Sequence, residues 1–249
     1  MKKNKQDEGG LWTAKFSEVV TSLQVLEKNG FTREMLDCLR GTSGNSMAQE
    51  IIALFYNPSL NSSFYKSRVE EWERFYKKYF DIEVNLSKIK VQRPWKEFSR
   101  LVIIVPKIPL FRIISVMEKR FSVIIDPSDH SVDATINQRE GNSVPYAIWV
   151  HDGEEPEVDH RGHSAAWMSN CPKESETLVE RLIHGLKYWD EHKKHMDITM
   201  LTLCSGSQSV LGLVPCVSCL QGYIIQISWV KPSYSHAKVG PREVISCDE

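Results

Sequence analysis

The chain has 249 residues, 41% hydrophobic and 25% charged, and 31 basic against 32 acidic side chains leave a formal charge of -1. That length suits one large domain or two small ones, and the balanced charge singles out no partner class. No uninterrupted apolar run reaches the roughly 18 residues that a membrane-spanning helix requires, and Met1 to Gly10 lack the apolar core of a secretory signal, so a cytoplasmic protein without a membrane partner is expected.

In chain order, Phe16, Val19, Val20, Leu23 and Leu26 recur at offsets of three and four, the stripe of an amphipathic helix that Gly30 closes. Thr32 caps a short second helix carrying Met35, Leu36 and Leu39, and Ser46 to Gln49 reads as a capping box opening a third helix through Phe55. A fourth helix follows, with Val69, Trp72, Phe75, Tyr76 and Tyr79 at helical spacing. From Leu101 the period changes. Leu101 to Val105 is a continuous apolar run typical of a buried strand, Leu110 to Arg120 a helix, and Ser122 to Ile125 a second strand, which together suggest a βαβ-like unit. Asp126 to Val144 reads as a loop. Tyr146 to Val150 is a strand, and a helix with Leu178, Leu182, Leu186 and Trp189 inward has Glu174 and Glu176 at its start and Lys193, Lys194 and His195 at its end, which suits its dipole. Ile198 to Cys204, Val214 to Leu220 and Tyr223 to Val230 complete the strands.

The six cysteines, Cys38, Cys171, Cys204, Cys216, Cys219 and Cys247, are too sparse for a disulfide-stapled domain and are expected mostly as reduced thiols. Cys216 and Cys219 are spaced as half of a tetrahedral zinc site or a redox pair. The second half is missing, and strand alternation places the two on opposite faces, so plain buried thiols are the favoured reading. Between His151 and His163 lie five carboxylates and three imidazoles. His151, Asp152, His160 and His163 are candidate metal ligands there, but the spacing matches no ordered metal loop, and a solvated acidic loop is favoured. Cys204 and Ser205 end a strand at a tight turn, where a nucleophile with His151 or His184 as base is conceivable. The Gly-x-Ser-x-Gly signature is absent, and a turn that needs small residues explains the same letters.

From Lys66 to Arg100 ten basic residues face six acidic ones, interleaved with Tyr65, Trp72, Phe75, Tyr76, Tyr79 and Trp95. Lys77, Lys78, Lys88, Lys90 and Arg93 are the candidate phosphate contacts of a nucleic-acid surface whose aromatics would stack on bases. Helical spacing of those aromatics makes burial the favoured reading, and the basic excess is small for a dedicated binder. No phosphate loop or dinucleotide turn is present, which disfavours a nucleotide cofactor.

Tyr146-Ala-Ile-Trp-Val150 with Asp152, the Leu178 to Asp197 block, and Thr202-Leu-Cys-Ser-Gly-Ser207 followed by Val214-Pro215 resemble a family of bacterial proteins with no assigned activity. The resemblance extends over about Phe98 to Ser246. It implies a bacterial, cytoplasmic protein and carries over no catalytic residue. Members of that family have Arg where this chain has His151, and the loop over 153–170 departs from their pattern, which counts against a metal site on His151, His160 and His163.

The expected architecture is α+β, with a helical N-terminal region over 11–95 and an α+β domain over 96–249 built on a mixed sheet of about five or six strands with packed helices. The expected function is a non-enzymatic interaction or regulatory role with another protein as partner and no cofactor. A nucleic-acid binder using 66–100 and a metal-dependent or Cys-dependent hydrolase are the alternatives.

Overall fold

A computed structural model describes residues 62–89, 91, 97–106, 108–126, 135–139 and 144–247, together with positions 20, 21, 24 and 28. Those four positions are helical, in agreement with the first expected helix. The second and third expected helices, and Cys38, lie outside the described residues. The chain divides into two compact units, Met1–Asn61 and Ser62–Glu249.

The second unit opens with α1 (Ser62–Phe80). Its aromatic spacing does what the period predicts. Trp72, Phe75, Tyr76, Tyr79 and Phe80 are all buried, with the Phe75 and Tyr79 rings 4.9 Å apart. Each such ring contributes on the order of 1.5–3 kcal/mol by burial. The Tyr76 hydroxyl donates to the Ile103 carbonyl at 2.7 Å and accepts from the Val105 amide at 3.1 Å. Both ends of its polarity are therefore used, and burial pushes the phenol's pKa up against the smaller effect of the Val105 amide.

Then come β1 (Arg100–Ile104), α2 (Leu110–Glu118), β2 (Ser122–Ile125), β3 (Thr135–Asn137) and β4 (Tyr146–Val150). After a 3-10 turn at Val158–His160 follow α3 (Ala165–Ser169), β5 (Glu174–Ser175), α4 (Leu178–His192), β6 (Leu201–Leu203) and β7 (Ser207–Ser209). The chain finishes with β8 (Val214–Leu220), β9 (Ile224–Val230), β10 (Val239–Pro241) and β11 (Glu243–Ser246). The α+β class holds.

Among the described residues the strands form three sheets instead of one. A four-stranded antiparallel sheet has the order β1-β4-β11-β5, with Arg100 opposite Val150 and Ile104 opposite Tyr146. A five-stranded mixed sheet has the order β10-β6-β8-β9-β2, parallel at both edges and antiparallel inside. A ribbon, β3-β7, stands apart. The β1–α2–β2 succession is therefore no βαβ unit, because β1 and β2 belong to different sheets. The expected 126–144 loop also contains β3, whose polar Thr-Ile-Asn gives no strand signal and which exists by pairing with Ser-Gln-Ser of β7.

The main core joins α1, α2 and α4 to β1 and β4, where every residue of both strands is buried. Thus α1, read from sequence as the end of the 11–95 region, shares its core with the sheets. A smaller cluster of Ala165, Leu203, Val214, Cys216 and Val239 brings α3 against the five-stranded sheet.

Candidate functional site

Helix α4 organises the polar chemistry of the molecule. Thr177 and Glu180 form a reciprocal capping box at its start, and Lys193 closes it in a left-handed conformation at φ 56°. The Leu178, Leu182 and Leu186 stripe is buried as expected. In a second stripe, Glu180, His184, Lys187 and Glu191 at offsets of four, three and four, the first three are also buried, while Glu191 is exposed.

Each member has a fixed partner. The two oxygens of Glu180 accept from Arg139 Nε and Nη2, each at 2.7 Å, and Glu180 Oε1 also accepts from the Tyr146 hydroxyl at 2.8 Å. Glu176 does not start the helix as expected; its carboxylate lies 2.7 Å from His184 Nδ1, with both side chains fully buried. Burial holds the His184 imidazole below its ordinary value despite Glu176 beside it, and Arg242 and Arg100 push the same way. The neutral ring then donates from Nδ1 to the carboxylate.

One turn away, Asp197 accepts from Arg181 Nε at 2.9 Å, Arg242 Nη2 at 2.7 Å and the Thr202 hydroxyl at 2.6 Å. Burial would raise its carboxyl, but Arg181 and then Arg242 outweigh that and hold it below the usual range. Arg242 also reaches the carbonyls of Gly153 and Glu154. This hub ties α4, β6, the β10–β11 link and the loop after β4 together.

A cleft of about 520 Å³ lies beside α1 and α4. Arg100 forms part of its lining, with Nε 2.6 Å from Asp152, Nη1 2.6 Å from Glu191 and Nη2 3.0 Å from His192 Nε2. Lys187, 2.9 Å from Glu191, sits over the Trp72 ring, 5.5 Å from its centre. Arg68 and Glu71 add one charge of each sign to the wall.

The residues singled out from sequence do not converge. Cys204 is fully buried, and burial pushes its thiol well up against the smaller pull of Arg181, which disfavours the thiolate a nucleophile needs. His151 packs its ring on Phe98 at 4.2 Å, while His160 and His163 both pack on Trp167, at 5.7 and 3.9 Å. Asp152 is engaged by Arg100. Among the described residues no group of three His, Cys, Asp or Glu could hold a metal ion. Cys216 lies in the small cluster with α3 and Cys219 in the main core, on opposite sides of β8 as alternation predicts, and burial pushes the Cys219 thiol up to about 11. No disulfide joins the five described cysteines to one another.

Lys77 pairs with Asp81 and Glu83, and Lys78 with Asp190 at 2.5 Å. Lys88 is exposed, and Lys90, Arg93 and Trp95 lie outside the described residues. With Trp72, Phe75 and Tyr76 buried, these rings are not available to stack on bases.

Ser205 belongs to a different place. A pocket of about 180 Å³ beside the β3-β7 ribbon is lined by Ile136, Gln138, Ser205, Gln208 and Pro232 among others, with no charged side chain among its described lining residues. Ser205 Oγ is buried without a hydrogen-bond partner among the described residues. Gly206 beside it is required by close approach, since a Cβ there would meet the Ser175 carbonyl at 2.5 Å. Around the ribbon, Ile136, Val210 and Leu211 are 61%, 64% and 61% exposed. Among the described residues no helix is long and apolar enough to cross a membrane. No protein-family model, curated protein or solved structure matches this chain.

Proposed function

We propose that this chain is a non-enzymatic interaction or regulatory protein of the bacterial cytoplasm, which docks an uncharged peptide segment of a partner protein on the β3-β7 ribbon. The observation that carries the reading is the exposure of Ile136 in the wall of a pocket whose described lining is uncharged, with Val210 and Leu211 also exposed just beyond β7. An exposed apolar side chain in the wall of a concave site favours an apolar partner surface.

Ile136 is placed opposite Gln208 in the ribbon register, so both side chains share one face. Replacing Ile136 with Asp puts a charge where the partner brings none, at little cost to a fold in which Ile136 is mostly exposed. The test is capture from a native lysate by wild-type and Ile136→Asp protein. A protein retained by the wild type and lost by the variant, with melting temperatures alike, supports the reading; retention by both overturns it.

A further inference from the structure

The cleft beside α1 and α4 lies apart from the ribbon and calls for different chemistry. Its wall carries Arg68, Arg100 and Lys187 against Glu71, Asp152 and Glu191, three cations facing three carboxylates. A polyanion would meet three carboxylates there, and a polycation three cations. About 520 Å³ falls within the range of small-molecule sites.

We propose that this cleft binds a small zwitterion, a free α-amino acid, with its carboxylate at Lys187 and its ammonium at Asp152 and Glu71. The lysine is prepared for this role. Its side chain is 9% exposed, its Nζ is 2.9 Å from Glu191, and an ammonium has three donors, so hydrogens remain for a ligand carboxylate. Trp72 and Phe75, whose ring centres lie 5.5 and 5.9 Å away, hold that ammonium from beneath. Asp152 gives Oδ1 to Arg100 at 2.6 Å, and its side chain is half exposed, which leaves Oδ2 to accept from the ligand. Arg100 is engaged on all three nitrogens by Asp152, Glu191 and His192, so it fixes those carboxylates in place, and one N–H on each of Nη1 and Nη2 lies beyond these contacts. Binding here does not depend on the ribbon, and either site can fail without the other.

The test is the melting temperature of the full chain with each proteinogenic L-amino acid at millimolar concentration. Each hit is compared with its N-acetyl and carboxamide derivatives and with inorganic phosphate. The expected result is stabilisation by at least one free amino acid and none by its blocked forms or by phosphate. In calorimetric titration, Glu71→Gln and Lys187→Gln weaken binding by about tenfold or more. Should Lys187→Gln fail to melt cooperatively, Glu71→Gln decides alone. Stabilisation by no amino acid, equal stabilisation by the blocked forms or by phosphate, or wild-type affinity in the variants overturns the assignment.

Discussion

Asp197 receives two guanidinium groups and a hydroxyl in a fully buried site, at a left-handed φ of 58°. Removing its charge strands Arg181 and Arg242 in low dielectric. Asp197→Asn is therefore expected to cost about 3–5 kcal/mol, measured by urea unfolding. His184 makes a pH prediction. An unfolded imidazole titrates near about 6.5, whereas burial lowers it in the fold. Below about pH 6.5 the unfolded chain takes up a proton that the folded chain refuses, so stability is present above that pH and declines below it. His195, lowered by burial and by Arg181, acts in the same sense. The urea midpoint should fall from about pH 7 to 5, less steeply in His184→Gln. His184 was named from the sequence only as a possible base, and neither its pairing with Glu176 nor the Asp197 hub was legible there. Asp197 follows Lys193, Lys194 and His195 in what reads as a basic helix end that suits the dipole, and nothing local announces two arginines distant in sequence.

At the scale of elements, period and capping were informative where they were local. The α1 aromatics, the α4 leucine stripe and the strands β1, β4, β8 and β9 all follow from spacing. What escaped was pairing between segments: β3 and β7 are polar and short, and each is a strand only because the other is there. The polar contacts of Glu180, His184 and Glu191 on α4 escaped for the same reason, since their partners Arg139, Glu176 and Arg100 come from other elements. The capping box is testable within the element. Thr177→Ala removes the hydroxyl that accepts from Glu180 N and should lower stability by about 1–2 kcal/mol in thermal unfolding. Gly206→Ala should destabilise by about 1–3 kcal/mol, because the β6–β7 turn must move off the Ser175 backbone.

At the scale of the molecule, the α+β class was legible because helical and strand periods alternate cleanly along the chain. The place of α1 was not. A helix rich in Lys and Glu between two loops carries no sign of which core its aromatic face enters, yet Trp72, Phe75 and Tyr76 lie with Ile103 and Ile148 in one core. A chain beginning at Ser62 is expected to melt cooperatively by circular dichroism. One beginning at 96 is expected not to, having lost that aromatic face. The ribbon site was legible only at Ser205, named for a nucleophile's role and found instead in the wall of an uncharged pocket, and the cleft only at Asp152, named as a metal ligand. The central claim is that the β3-β7 ribbon is the docking face. The direct measurement places a photo-crosslinking side chain at Ile136 and, as a control, at Phe111 of α2, which is 56% exposed. Adducts to a discrete partner at position 136 and none at 111 are the predicted result; adducts at 111 alone, at both alike, or at neither contradict it.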